Sequence, residues 1–394
     1  MTESNASELL LSKYKQRHQL MLYLYDILVD ILYKADEYKL SDLSVRYTNK
    51  LNEEFDFLNW LETQKDTAIS EKIYIPHLFF SILRDFNDYF FESLSCIKRR
   101  KVTVAFSLAR KPLQDNFFYL MWMLVQPNQF IEKVLYGNPE DYDVSKLKSQ
   151  KDFVIDLFSK SQILIQHQEE SLDFVTDQLS PELLYDIIYN RKAPNNLTGV
   201  FDQSIHLVTT NKNYPTEKRD LNFVFADDEM WNNFFHLYYE KIPYILCYIV
   251  EVSIAIFEKY INIKPEISKI NRNIRDLKKI LVFYENDREV LEDIFDLIFD
   301  NDNITLSCDE CGKKYDFNSN FLNEVQNDYF FTCQNCESVE RLGQYFIDND
   351  SLLKQRYIKI DNSNNQNWKL ISSNISRKEH NEKRNNNSSS CPFY

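Results

Sequence analysis

The chain has 394 residues, of which 44% are hydrophobic and 15% aromatic, and its formal net charge is −14. Phosphate-cradling loops need several glycines close together, so that backbone N–H groups can approach the phosphates. The four glycines here lie far apart, which excludes Walker A, dinucleotide-binding and kinase glycine-rich loops in their usual forms. The acidic net charge argues against a surface that binds nucleic acid throughout, but it leaves room for a local basic patch.

The first residues and the longest apolar run bear on the compartment. The chain opens with MTESNASELLL, which has acidic and polar residues where a signal peptide has a basic region. The longest apolar stretch, from Ile242 to Phe257, is interrupted by Glu251 and is short for a membrane span. We therefore expect a cytoplasmic protein that makes no use of a membrane.

Apolar residues recur at helical spacing over most of the chain, which predicts a mainly α fold: a multi-helix body with a small C-terminal β-rich zinc ribbon. Residues 7–33 and 42–65 are expected to be helical, and Pro112 is expected to kink a helix over 102–125. The predicted divisions are an N-terminal helical hairpin (1–70), a helical core (71–262) with a polar loop (190–225), a linking helix (263–300), a zinc ribbon (301–360) and a disordered tail (361–394).

Four cysteines form the strongest motif. Cys308 and Cys311 are followed, after 21 intervening residues, by Cys333 and Cys336. A CxxC turn places two thiolates on one side of a tight knuckle, and two knuckles close a tetrahedron around zinc. Gly312 suits the sharp turn after the first pair, whereas the second pair has no following glycine.

This spacing resembles the zinc-ribbon families, over roughly residues 304–347. The resemblance implies a bound Zn²⁺ with a structural role, because four cysteine ligands leave no open position for water. Tyr315 and Phe317, together with residues 329–331, are expected to supply the paired strands beneath the metal. A rubredoxin-like iron site and a dithiol redox pair are the alternatives.

A second candidate site lies in the stretch RKPLQDN, inside an otherwise aromatic helix. Arg110, Asp115 and Asn116 are costly to place among aromatic residues unless they are paired. We expect Arg110 to be buried and paired with a carboxylate, Asp115 being the nearest, so that the network holds neighbouring helices together. The catalytic alternative takes these three residues and His206 as candidates.

That alternative rests on a resemblance to the HEPN superfamily, whose active members are metal-independent ribonucleases with an Arg, four to six residues, then a His. Arg110 matches the Arg, but Asp115 stands at the His position, and an Asp does not act as a general acid near neutral pH without a large pKa shift. The stretch is also similar to uncharacterised bacterial helical proteins with an Arg-x-Pro-Leu-x-acid helix. The HEPN resemblance covers at most residues 77–260 and implies a divergent ribonuclease in bacterial defence.

The polar loop, residues 190–225, supplies further candidates, because long irregular segments in compact domains often bind ligands. His206 is flanked by apolar residues, so we expect a core histidine; convergence with Arg110 would instead make a phosphodiester site. The ligand-binding candidates are Arg191, Asn196, Thr209 and Arg219.

A basic run, Lys98-Arg99-Arg100-Lys101, ends a predicted helix. Cations there complement the helix dipole, and the same run is a candidate patch for a protein partner or a nucleic acid. Because no complete catalytic motif is present, we interpret the chain as a soluble zinc-binding helical protein, a non-catalytic binding or regulatory module. The divergent HEPN-like ribonuclease is the alternative.

Overall fold

The computed structural model describes residues 10, 12–37, 43–47, 67–166, 179–223, 227–261, 263–283, 304–308, 310–317, 330–341, 343–347, 355–361 and 369–376. Of these residues 72% are helical, which confirms the mainly α class. The α-helices are α1 (Ser12–Glu37), α2 (Thr67–Lys98), α3 (Val102–Arg110), α4 (Phe117–Val125), α5 (Pro127–Tyr136), α6 (Val144–Leu147), α7 (Lys151–Ile165), α8 (Pro181–Ile188), α9 (Leu197–Ile205), α10 (Asp228–Ile261) and α11 (Pro265–Phe283).

Short strands complete the fold. A three-stranded sheet joins distant parts of the chain, and the others are antiparallel pairs of neighbouring strands. The strands are β1 (Leu43–Tyr47), β2 (Thr210–Asn211), β3 (Tyr214–Pro215), β4 (Ile304–Ser307), β5 (Lys314–Phe317), β6 (Phe330–Thr332), β7 (Val339–Arg341), β8 (Gln355–Asp361) and β9 (Lys369–Ser376).

The centre of the helical body is aromatic. Helix α4 reads FFYLMWMLV and is buried along nearly its whole circumference, as expected for a helix with no polar face. The ring of Phe117 meets that of Tyr248 edge-on, with centroids 5.8 Å apart. Buried tyrosines find hydrogen-bond partners, such as the Tyr238 hydroxyl with Ser93 Oγ at 2.7 Å. These contacts explain how a chain so rich in Tyr and Phe fills its core without leaving hydroxyls unpaired.

Proline has a different effect from the predicted kink. Residues Val102 to Val125 run on continuously, but Lys111–Asn116 forms a π-helix between α3 and α4. Pro112 has no N–H to donate to the carbonyl of Leu108, and a wider turn accommodates that loss. The π-helix thereby changes which side chains of the RKPLQDN stretch share a face.

The N-terminal and C-terminal parts of the chain differ from the predicted divisions. Leu43–Tyr47 is a strand, where the sequence suggested a helix over 42–65; its alternation of apolar and polar residues has the period of a strand. This strand pairs in parallel with β8, and β8 pairs with β9. Strand β9 occupies part of the segment assigned to a disordered tail. Disorder stays a prediction for residues 377–394, which, like 48–66 and 284–303, lie outside the described residues.

Candidate metal centre and polar cleft

The two CxxC pairs occupy the turns of two β-hairpins. Cys308 and Cys311 lie between β4 and β5, and Cys333 and Cys336 lie between β6 and β7. The predicted pairing of Tyr315 with the strand of the second hairpin is wrong, since each hairpin pairs only within itself. The two hairpins meet instead through side chains.

The four sulfur atoms come together as the sequence predicts, all within 4.8 Å of one another. The Sγ atoms of Cys308 and Cys336 are 3.6 Å apart, as are those of Cys311 and Cys333. In a tetrahedral site with Zn–S bonds of about 2.3 Å, neighbouring sulfurs lie about 3.8 Å apart. The cluster therefore fits a four-coordinate metal ion, and four sulfur ligands leave no coordination position open.

Both knuckles use the same backbone turn. The residue after each second cysteine has a positive φ: 71° at Gly312 and 59° at Glu337. Each donates its N–H to the carbonyl of the first cysteine, at 2.9 Å to Cys308 and 2.8 Å to Cys333. The second knuckle thus reaches the glycine conformation without glycine, at a cost of about 1–2 kcal/mol.

Hydroxyl groups surround the sulfurs. The Tyr315 hydroxyl lies 2.9 Å from Cys333 Sγ, and Ser338 Oγ lies 3.3 Å from Cys308 Sγ and 3.1 Å from Cys336 Sγ. Burial favours the neutral Cys333 thiol, but hydrogen bonds from Tyr315 and nearby amides outweigh burial and lower the pKa of this thiol to about 6. Thiolates are the metal-binding form of cysteine, and such partners orient them.

The inner side of the ribbon packs on helix α11. Cys308 and Cys333 are buried, whereas Cys311 and Cys336 are exposed. Phe331 and Phe346 pack with the two buried cysteines and Ile267, the first of three isoleucines spaced three and four residues apart on α11. This apolar contact attaches the predicted metal centre to the helical body. The other two isoleucines are Ile270 and Ile274.

At the π-helix, the expected pairing of Arg110 with Asp115 is wrong. Arg110 is half-buried and makes no hydrogen bond or ion pair with any described residue. Asp115 instead lies 3.5 Å from Lys148 Nζ. Asn116 is buried and donates to Asp85 Oδ2 at 2.7 Å. The wider π-helical turn separates these side chains into different contacts rather than one network.

The residue that ties the π-helix to its neighbours is Gln114, which sequence reasoning missed. Its Nε2 donates to the Ile188 carbonyl at 2.8 Å and to Thr198 Oγ1 at 2.7 Å. Its own carbonyl accepts from the Tyr189 hydroxyl at 3.0 Å. The signal was present, because Gln114 is an amide in an aromatic run and therefore needs buried partners.

The prediction of a core position for His206 is also wrong. His206 is exposed at the C-terminal end of α9, where it lines an open cleft of about 790 Å³ with Arg191 and Thr209. Neither Arg110 nor Asp115 lines this cleft, so the convergence that a phosphodiester site would need is not seen among the described residues.

The remaining two ligand candidates have other positions. Asn196 is fully buried and caps α9, where its Oδ1 accepts from the Gly199 N–H at 2.6 Å. Substituted serine, threonine or asparagine caps cost about 1 kcal/mol, so its role is structural. Arg219 is exposed, has a φ of 71° and is absent from the cleft lining.

The cleft is built by asparagines. Asn213 Nδ2 donates to the carbonyls of Arg191 and Ala193, at 3.3 and 3.0 Å, and this holds the β2–β3 hairpin against the turn before α9. On the other side, the buried Asn222 donates to the His206 carbonyl at 2.7 Å. The backbone walls of the cleft are therefore held by side-chain amides, and its charged side chains are left to face the opening.

The basic run confirms its helix-end interpretation. The N–H groups of Arg100 and Lys101 bond back to the carbonyls of Ile97 and Cys96, at 2.9 Å each, which is the Schellman pattern of a helix C-terminus. Arg100 has a φ of 57° and its guanidinium lies 5.3 Å from the Phe235 ring centroid. Lys98 ends the helix and Arg99 bonds the Ser95 carbonyl, so neither property excludes the run from binding a partner.

A buried ionic cluster joins α10 to α11. Glu251 Oε2 accepts from Arg275 at 2.8 Å, and its Oε1 accepts from Lys279 at 2.7 Å. Lys279 also lies 2.9 Å from Asp276. Burial alone would raise the pKa of Glu251, but Arg275 and Lys279 hold it well below its usual range. This is the acid that interrupts the apolar stretch noted in the sequence.

No protein-family model, curated protein or solved structure matches the chain. The resemblances to zinc ribbons and to the HEPN superfamily accordingly rest on their motifs alone. Among the described residues, no helix combines the length and the apolar character that crossing a membrane requires.

Proposed function

We propose that the protein is a zinc-stabilised helical binding module. The observation that carries the zinc part is the cluster of four cysteine sulfurs within 4.8 Å. Cysteine-only sites of this spacing suit Zn²⁺, and a closed shell of four thiolates suits a structural role rather than catalysis. The ligands are Cys308, Cys311, Cys333 and Cys336.

Metal analysis tests this part. Purified full-length protein is expected to contain about one zinc per chain. The Cys333→Ser variant should lose that zinc, whereas Cys96→Ser, at a buried cysteine of α2 outside the cluster, should keep it. Iron in place of zinc, or no metal in the wild type, would contradict the proposal.

The binding part rests on the polar cleft. Arg191, Lys192 and Lys212 line it together with His206, and the single lining carboxylate is Asp202. This excess of cations stands out in a chain with a net charge of −14. Clefts of roughly 300–1,000 Å³ hold small ligands, and convergent cations with hydroxyl and amide donors favour anions. The ligand class we infer is a small phosphorylated molecule.

Lys212 is the informative residue in the cleft. Arg191 and Lys192 directly follow α8 and also complement the negative end of that helix, so their charges have a second use. Lys212 lies at the turn of the hairpin, where no helix end needs it. Calorimetric titration with inorganic pyrophosphate should show binding that Lys212→Ala weakens about tenfold or more.

Lys218→Ala is the matched control, because this exposed lysine belongs to the same loop but does not line the cleft. It should bind pyrophosphate like the wild type. No heat with pyrophosphate, or equal losses in both variants, would count against the anion-binding cleft while leaving the zinc proposal intact.

The divergent ribonuclease is the second candidate function, favoured by one observation. Arg110 is a half-buried cation without a described partner, beside a π-helix, and π-helical turns are frequent at functional sites. Wild-type protein that cleaves single-stranded RNA without added metal, with activity lost in Arg110→Ala, would support it. An inactive wild type would remove it.

A further inference from the structure

The segment that follows the second hairpin of the ribbon, residues 343–347, lies inside the helical body. Tyr345 is fully buried and belongs to the main hydrophobic core rather than to the ribbon cluster. Its N–H donates to Asp30 Oδ2 at 3.0 Å, and its carbonyl accepts from Lys34. Its hydroxyl donates to Glu258. One residue therefore engages charged groups of both α1 and α10.

Helix α11 holds the next residue. Asn271 Nδ2 donates to the Phe346 carbonyl, and Asn271 Oδ1 accepts the Phe346 N–H, both at 2.7 Å. The side-chain amide thus pairs with one peptide unit as a neighbouring strand would. Asn271 is itself buried, so either group would be left unsatisfied without the segment.

Gly343 makes the entry of the segment specific. Its φ is 68°, and a Cβ at this position would lie 2.1 Å from Asp30 Oδ2. Only glycine allows the backbone to approach the carboxylate this closely. We call residues 343–347 the clasp.

The clasp is directly attached to the metal centre. Strand β7 ends at Arg341, two residues before Gly343, and β7 pairs with β6, which leads into Cys333. Phe346 packs in the same small cluster as Cys308 and Cys333. That cluster has few apolar residues, and small metal-bound units of this kind take much of their folding free energy from the metal.

We propose that the zinc-loaded ribbon fastens three helices of the body through the clasp. With zinc bound, the hairpins hold residues 343–347 in position against α1, α10 and α11. When zinc is removed, the clasp leaves, and Asp30, Lys34 and Asn271 lose the peptide groups that they bind. The metal then regulates the helical body rather than the ribbon alone. This inference rests on the proposed zinc site.

Hydrogen exchange followed by mass spectrometry tests the proposal in the full-length protein. The same samples are analysed for zinc before and after treatment with a chelator. Stripping the metal should speed exchange in α1 and α11 by roughly tenfold or more, while α4, whose neighbours do not include the clasp, serves as the internal reference.

Two variants separate the clasp from the metal. Tyr345→Ala, with zinc retained, should reproduce the faster exchange of α1 and α11, and stripping its zinc should then add little. Tyr345→Phe removes only the hydroxyl contact with Glu258 and should give a smaller increase, which keeps the test valid if the alanine variant folds poorly.

The outcomes distinguish the two proposals. Wild-type protein without any zinc overturns both of them. A zinc-loaded protein in which stripping changes exchange only within residues 304–341 overturns the clasp alone, as do additive effects of zinc removal and Tyr345→Ala.

Discussion

The π-helix region and the α10–α11 interface both hold an arginine near aromatic helices, but they treat its charge differently. Arg275 is 2% exposed and is neutralised by Glu251 through two hydrogen bonds, at 3.0 and 2.8 Å. Arg110 is only half-buried and has no partner among the described residues. A charge withdrawn from water must be paired, whereas one that keeps part of its hydration need not be. The degree of burial therefore separates a structural cation from one that is available to a ligand.

Breaking the α10–α11 cluster should have the largest effect. Glu251→Gln leaves Arg275 and Lys279 without their shared carboxylate, and removing one partner of a buried pair costs about 3–5 kcal/mol. A thermal melt should show this loss clearly. Asp36→Asn is the matched control, since the Arg84–Asp36 pair is exposed and such pairs contribute under about 1 kcal/mol.

The same pair sets a pH dependence. The pKa of Glu251 is depressed in the folded protein, so its contribution is present above the unfolded pKa of about 4.3 and is lost as the pH falls below it. Wild-type stability should therefore fall on acidification more steeply than that of Glu251→Gln. Parallel curves for the two proteins between pH 5 and pH 2 would contradict the assignment.

Sequence reasoning succeeded where the interacting residues are close in the chain. Each CxxC pair is a local turn, and two such turns identify a metal cluster whatever lies between them. It failed for contacts such as Asp30 with Tyr345, which are 315 residues apart. Nothing near Asp30 indicates a peptide N–H as its partner. Pro112 indicated that the helix is disturbed, but the proline could not tell a kink from a π-helical turn.

At the polar cleft, Gly199→Ala sharpens the comparison between structural and available cations. A Cβ there would lie 2.0 Å from the Tyr214 ring, so the β2–β3 hairpin must shift, at a cost of about 1–3 kcal/mol. Pyrophosphate binding should weaken with it, because Lys212 moves with the hairpin. The double variant Gly199→Ala/Tyr214→Ala should destabilise by less than the sum of the single changes, and strict additivity would rule out this contact.

In the ribbon, the two knuckles provide a matched pair. Glu337→Gly relieves a left-handed conformation and should stabilise the loaded ribbon by about 1 kcal/mol, whereas Gly312→Ala should destabilise it by a similar amount. Chelator competition measures both, because about 1 kcal/mol corresponds to roughly fivefold in apparent zinc affinity. Changes of the same sign in the two variants would contradict the equivalence of the knuckles.

The smallest effect is expected at Arg110. Arg110→Ala removes no ion pair or hydrogen bond with the described residues, so its melt should stay within about 0.5 kcal/mol of the wild type. Arg275→Ala is the counterpart and should cost about 3–5 kcal/mol, because it leaves Glu251 short of a cation in a buried site. A large loss at Arg110 would mean that a structural partner holds it. If Arg110→Ala melts like the wild type and neither protein cleaves RNA, the half-buried guanidinium is left to bind a ligand other than RNA, since an unpaired cation beside aromatic helices has no structural use.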